Sequence, residues 1–188
     1  MCQLSHVDIE CEVDDGVLII EPFDPGLLRP NSYDWRLGHV IFEALPQFNT
    51  FKPYILKDGE TFLFLAHHYY LCSTLERIIL PKNISAKMEG RSSLGRLFVS
   101  VHQTAGHVDV GFSGFLTAEV HLGLWDVPLT VGQNVGQIIF EYVRTPAVVG
   151  YADLPGSKYI NQPATPTPSR LKWEGVHDVL VPKLVLEN

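Results

Sequence analysis

Cysteine is scarce in this sequence, and the three residues, Cys2, Cys11 and Cys72, form no C-x-x-C pair. An odd, scattered set of thiols argues against a disulfide framework and for a reducing compartment. No H-E-x-x-H, H-x-E or P-C-x-x-C occurs among the eight histidines and their neighbours, so the usual zinc spacings are missing and no zinc is expected. His67 and His68 are adjacent, and on a strand they would point to opposite faces. There is no G-x-x-x-x-G-K-[ST], no G-x-G-x-x-G and no G-x-S-x-G, which removes the common phosphate loops and the nucleophile elbow. No stretch approaches 18 consecutive apolar residues, so no membrane span is expected. The opening MCQLSHVDIECEVDD has no basic segment followed by an apolar one, so no signal peptide is expected. The expected location is the cytoplasm, or a host's cytoplasm if the source is viral.

Basic residues are also in deficit. Fourteen Lys and Arg stand against 21 Asp and Glu, a formal net charge of -7. Non-specific nucleic-acid binding needs an extended basic face to displace counterions, so no nucleic-acid partner is expected. A few focused cations can still hold a small anion. GRSSLGR (90–96) gathers two arginines, two serines and two glycines in seven positions.

Long helical periods are missing as well, which disfavours α/β folds with crossover helices. With 188 residues, 46% of them hydrophobic and 19% charged, the chain reads as one globular domain. Residues 4–13 fit a short helix capped by Ser5, or nearly as well a strand. VLII (17–20) reads as a strand running into the breaker PFDPG (22–26). Further strands are predicted at 33–45, 62–66, 77–81, 96–102, 114–122, 128–131 and 135–143, separated by Gly, Pro, Asn and Asp. Short strands with regular turn signals indicate an all-β barrel or sandwich. From 152 to 170 the composition turns to Pro, Ser and Thr, as in an irregular tail or a flap that orders over a ligand.

The polar residues concentrate between Gly90 and Glu119. Ser92 or Ser93 is a plausible cap of a short helical turn whose free N–H groups favour an anion. Arg91 and Arg96 offer charge-assisted contacts to phosphate, although a solvated surface turn has the same composition. Asp109 lies near a turn, placed either to hold a metal or sugar hydroxyl or merely to shape the loop. In GFLTAEVHL (114–122) strict alternation puts Leu116, Ala118, Val120 and Leu122 on a core face. Phe115, Thr117, Glu119 and His121 take the other face. A glutamate there is usually solvated, but beside a cleft it is a candidate general base.

GRSSLGRLFVSVHQTAGHVDVGFSGFLTAEV resembles the core of the dCTP deaminases, relatives of the trimeric dUTPases. PNSYDWRLG (30–38), VGQIIF (135–140) and the spacing from Tyr151 to KYINQ (158–162) extend the likeness from about residue 16 to 170. The resemblance implies an all-β distorted jelly-roll, or β-clip, with one or two short helices, assembled as a homotrimer with sites between subunits. It implies one dUTPase-like domain over 1–188, with 152–188 a C-terminal tail partly closing over the nucleotide site. By the same likeness the enzyme needs no zinc: Glu119 activates water for attack at C4 of dCTP, and Ser92 and Arg96 serve the water and the departing ammonia. Ala105 offers its carbonyl to the exocyclic amine. Arg91, Ser92, Ser93 and Arg96 form the phosphate- and base-binding turn, and Asp109 is the deoxyribose and catalytic aspartate. Thr117 and Ala118 flank the base, and Gln137, Tyr151, Lys158 and Gln162 contact the nucleotide. Mg²⁺ rides on the triphosphate, and dTTP is a candidate inhibitor.

Gln103, Gly106 and Phe98 lean toward members that go on to hydrolyse dUTP to dUMP and pyrophosphate. A deaminase-only enzyme, a dUTPase without deaminase activity and a non-catalytic nucleotide-binding paralogue are the alternatives. The sequence departs from the family at Val110, where many members have proline, and at Ala118, where members usually have leucine. The smaller residue is expected to widen the pocket toward a modified cytosine. VLVPKLVL (179–186) is expected to add a final strand or a contact surface.

Overall fold

The computed structural model describes residues 2–170 and 183–184. In chain order its strands are β1 (Cys2–Gln3), β2 (Ile19–Glu21), β3 (Leu28–Arg29), β4 (Ser32–Leu45), β5 (Thr50–Ile55), β6 (Thr61–Phe64) and β7 (Tyr69–Ile79). They continue with β8 (Ile84–Gly90), β9 (Val99–Ser100), β10 (His107–Val108), β11 (Ser113–Leu122), β12 (Val127–Thr130), β13 (Asn134–Tyr142) and β14 (Lys183–Leu184). Among the described residues, two short α-helices, α1 (His6–Asp14) and α2 (Ser92–Gly95), and three 3-10 turns (Pro25–Leu27, Pro46–Phe48 and Tyr151–Asp153) complete the regular structure. No helix among the described residues is long and apolar enough to cross a membrane.

Of the two readings of residues 4–13 the helix prevails, as α1 from His6 behind the cap Ser5, for a local reason. Ser5 Oγ accepts the Asp8 N–H at 3.3 Å, and the Asp8 carboxylate accepts the Ser5 N–H at 2.8 Å. This reciprocal capping box satisfies two donors that a strand would leave to the sheet. Ile9 seats the helix on the core.

Twelve strands form one sheet whose main path runs β10-β8-β13-β4-β7-β11-β9, and β12 pairs separately with β6. All pairings are antiparallel except β14 with β5. The fourteen-residue β4 joins two halves. Its first part pairs with β13 (Tyr33↔Ile138) and its later part with β7 (Ile41↔Cys72) and β5 (Ala44↔Phe51). The register shifts between Leu37 and Ile41, where Gly38 lies. A Cβ on Gly38 would lie 2.6 Å from Ser73 Oγ and 2.8 Å from its carbonyl, so only glycine lets the strands approach there.

The core lies under this sheet. Tyr33, Trp35, Phe64, Tyr70 and Phe140 are its largest fully buried side chains. In β11, Leu116, Ala118, Val120 and Leu122 are buried and the alternate residues are half-buried, as the strand's period of two requires.

Several boundaries differ from expectation. The strand predicted at 77–81 is the end of β7, which starts at Tyr69. Residues 96–102 hold only the two-residue β9, because the α2 turn continues through Leu97 and Phe98, the latter with φ 59°. His67 has φ 64° and, with His68, precedes β7, so the strand argument for their opposite directions does not apply. Residues 179–182 and 185–186 lie outside the described residues.

Candidate active site

A cleft of about 580 Å³ opens beside the outer face of β11. Thr117 and Glu119 come from β11 itself. His102, Ala105 and Gly106 come from the loop after β9, His107 and Asp109 from β10 and the turn that follows, and Tyr151, Tyr159 and Gln162 from the tail. Phe51, Leu71 and Met88 supply apolar wall.

Glu119 reaches this cleft because Ala118 and Val120 turn inward. Its Oε2 accepts the Gln103 backbone N–H at 3.1 Å, and the Gln103 side-chain amide donates to the Glu119 carbonyl at 3.5 Å. The carboxylate is thus oriented by the 102–106 loop with its second oxygen uncommitted among the described residues. That is the arrangement a proton-accepting carboxylate needs. The loop is clamped from beneath. Met88 N–H donates to the Gly106 carbonyl at 2.8 Å, and a Cβ on Gly106 would sit 2.8 Å from Met88 O.

Asp109 follows β10 directly. The backbone around it is pinned by Gly111 N–H to Pro81 O at 3.2 Å and Tyr151 N–H to Val110 O at 2.7 Å. Gly111 has φ +74°, and a Cβ there would lie 2.8 Å from Gly150 Cα. The turn and the start of the tail therefore pack backbone on backbone, which only glycine permits.

The tail itself is packed. Gln162 forms a parallel bridge with Gly114, its carbonyl accepts the Phe115 N–H at 3.1 Å, and its Oε1 accepts the Thr117 hydroxyl at 2.9 Å. Thr117 Oγ1 also accepts the Thr167 N–H at 3.0 Å. Tyr151 Oη accepts the Tyr159 N–H at 3.0 Å. Lys82 pairs with Asp153 at 2.6 Å and holds the Asp153 carboxyl below the ordinary carboxylate value. Residues 151–170 thus form one wall of the cleft.

The GRSSLGR turn lies elsewhere. Arg91 is the N-cap of α2 and no side chain caps the helix, so neither Ser92 nor Ser93 plays the expected capping part. Ser92, Ser93 and Arg96 are exposed, and their side chains have no hydrogen-bond or ion-pair partner among the described residues. Arg91, Ser93, Gln133 and Asn134 line a second hollow of about 380 Å³. Beneath it Asp34, 3% exposed, receives Arg29 at 2.6 Å, Asn134 at 3.3 Å and Arg91 at 3.4 Å on one oxygen. Gln137 accepts the Ser32 hydroxyl at 3.1 Å and donates to Gly90 O at 3.4 Å. The PNSYDWRLG segment therefore acts as the inner support of the turn.

Of the residues singled out in the sequence, Glu119, Asp109, Ala105, Thr117, Tyr151 and Gln162 meet at the main cleft. Arg91, Ser92, Ser93, Arg96 and Gln137 gather at the separate turn and do not line that cleft. Lys158 is exposed outside it, its carbonyl accepting from Arg170 at 2.6 Å. Ala118 is fully buried and faces the core, so its small size does not widen the cleft directly. Sequence reasoning missed His102, His107 and Tyr159. His107 was within reach of it, being two residues before Asp109 on extended chain and so on the same side. Among the described residues no group of three or more His, Cys, Asp and Glu is placed to hold a metal ion.

Comparison with known proteins gives a consistent picture. Proteins named "dCTP deaminase, dUMP-forming" from Corynebacterium glutamicum and Nocardioides sp. are each 38% identical, over 89% of this chain and 95% and 94% of their own. One of the same name from Methanobrevibacter smithii is 35% identical over 93% of this chain and 97% of its own. The crystal structure of 2′-deoxycytidine 5′-triphosphate deaminase from Agrobacterium tumefaciens matches with a TM-score of 0.64 at 21% identity, over 74% of this chain and 47% of that one. The present chain thus spans about half of that longer chain, and the likeness places its all-β architecture with the distorted jelly-roll of these proteins. A family model described as dCTP deaminase-like matches residues 3–143. With relatives this similar along nearly its whole length, the chain belongs to the dCTP deaminase-like family.

Proposed function

We propose that the protein deaminates dCTP and carries the product on to dUMP. Glu119 carries the reading: a carboxylate on the cleft wall, oriented by the Gln103 N–H and with one oxygen uncommitted among the described residues. It takes a proton from water as the oxygen adds to C4 of cytosine. Glu119 delivers that proton to ring N3, then takes the proton of the new C4 hydroxyl and hands it to the amine; the C4–N bond breaks, and ammonia departs as the C4 carbonyl of dUTP forms. A second water attacks the α-phosphorus and releases pyrophosphate, so dCTP and two waters give dUMP, ammonia and pyrophosphate. The names of the relatives, which form dUMP, support the second step.

In this reading the Ala105 carbonyl accepts from the exocyclic amine and selects cytosine. Thr117 and the backbone of Ala118 flank the base, and Asp109 faces the deoxyribose. Lys158 and Gln162 close from the tail, taken as 152–188 of a single dUTPase-like domain, and Tyr151 contacts the nucleotide from just before it. Arg91, Ser92, Ser93, Arg96 and Gln137 come from a neighbouring copy in a homotrimer, because within one chain the turn stands apart from the cleft. Mg²⁺ enters with the triphosphate as part of the substrate, dTTP competes for the same site, and the reaction runs in the cytoplasm.

The test is to supply dCTP, and separately dUTP, with Mg²⁺ and no added zinc, following ammonia and pyrophosphate together. Ammonia and pyrophosphate from dCTP, with dUMP as product, are expected. Glu119→Gln should lower ammonia release roughly 10²–10⁴-fold, the scale of general acid–base catalysis, and still bind dCTP. Pyrophosphate from dUTP without ammonia from dCTP would make the protein a dUTPase. Binding without either product would make it a nucleotide-binding protein.

A further inference from the structure

Asp109 has a firmly held backbone and a loosely held side chain. Hydrogen bonds from Gly111 and Tyr151 fix the turn, but residue 110 is valine, so no proline ring restricts the chain just after Asp109. The one side-chain partner of the carboxylate among the described residues is His107, whose Nε2 lies 3.3 Å from Oδ1. The two residues are i and i+2 at the end of β10, so both project on the side opposite buried Val108. His107 is opposite Lys87 in the β10–β8 register, but Lys87 is committed to Glu141 at 3.2 Å. The histidine and aspartate side chains are 56% and 58% exposed, and both residues line the cleft. A contact this open contributes little to folding. Its effect is on where the carboxylate points when a ligand fills the cleft and displaces the water around it.

We infer that His107 is a positioning residue of this site. Its imidazole fixes the rotamer of Asp109 and through it the contact with the sugar hydroxyl of the nucleotide. The inference rests on the nucleotide reading of the cleft. It assigns His107 no contact with the reacting atoms. His107 takes over, from the side chain, a restraint that the backbone at Val110 does not supply.

The test uses Glu119→Gln protein, so that bound nucleotide is not consumed, and calorimetric titration with dCTP and with 2′,3′-dideoxy-CTP in Mg²⁺. Adding His107→Leu should weaken dCTP binding by roughly fivefold, the upper scale of an exposed side-chain contact of this kind. Adding His107→Gln, which keeps an N–H at similar reach, should leave it near the starting value. Neither change should alter binding of the dideoxy analogue, and His107→Leu should add nothing once Asp109→Ala is present. Equal loss for both nucleotides would mean that His107 only supports the loop, and no loss for dCTP would remove it from the site; either overturns the inference. Failure of the Glu119→Gln parent to bind dCTP would instead overturn the nucleotide reading, and the inference with it.

Discussion

Ala118 shows how one methyl group separates two accounts of specificity. On the sequence its small size beside Glu119 reads as room for a larger base. In the fold its side chain is fully buried among core residues, and its strand partner is Cys72. Burial of that thiol is complete enough to raise its pKa well above the ordinary value. A leucine at 118 therefore has to enter a filled core. Ala118→Leu is expected to cost about 1–3 kcal/mol of stability by overpacking. Any change in KM should be the same for dCTP and for 5-substituted dCTP. Melting curves and the two KM values check this; a KM change confined to the substituted nucleotide would restore the specificity reading. The alternation of β11 was legible from sequence and already put Ala118 inside, whereas its neighbour Glu119 reached the cleft by the same rule. The i, i+2 spacing likewise puts His107 on the side of Asp109, but that both face the same cleft as Glu119 was not legible, since it depends on where the chain turns after β10.

At the scale of elements, β4 is held to β7 by a buried ion pair. Arg36 Nε lies 2.6 Å from Glu76 Oε1, the Arg36 backbone N–H donates to Oε2 at 3.0 Å, and the Glu76 side chain has no exposed surface. Burial is the larger influence and raises Glu76 above its ordinary 4.5, against the pull of the Arg36 N–H groups and charge. The fold thus favours the neutral acid. Its contribution is complete below 4.5 and declines as pH rises through the higher folded value. A glutamine does not titrate. The Tm margin of the native chain over Glu76→Gln should therefore narrow as pH rises from 4.5 toward neutrality. The slope should be up to about 1.4 kcal/mol per pH unit within the titration window, roughly 3–6 °C. A constant or widening margin would show that Arg36, not burial, dominates. The sequence marks β4 clearly through its alternation, but it gave no sign that Glu76 would be enclosed. β5 and the first half of β7 were missed altogether: Lys52 and Pro53 interrupt the one, and the run YYLCST does not alternate apolar with polar.

For the whole molecule, the decisive fact is that the two halves of the expected site do not meet within one chain. Motif spacing located each half: the cleft around Glu119, and the turn around Arg96, whose guanidinium has no partner among the described residues. Nothing in a linear sequence says whether two such halves converge in one chain or across copies, because a symmetric assembly satisfies the same spacing either way. If neighbouring copies complete the site, a chain lacking Glu119 and a chain lacking Arg96 are defective at different sites of one assembly. Glu119→Gln and Arg96→Ala chains, each inactive alone, should regain ammonia release when coexpressed, with about a quarter of sites intact for random assortment in a closed ring. The mixed assembly should sediment at three times the 21.1 kDa chain mass. Recovery in the mixture while both parents stay inactive requires a site shared between copies. No recovery from well-mixed trimers would mean that the turn and the cleft close on each other within one chain, by a movement of the 90–106 segment.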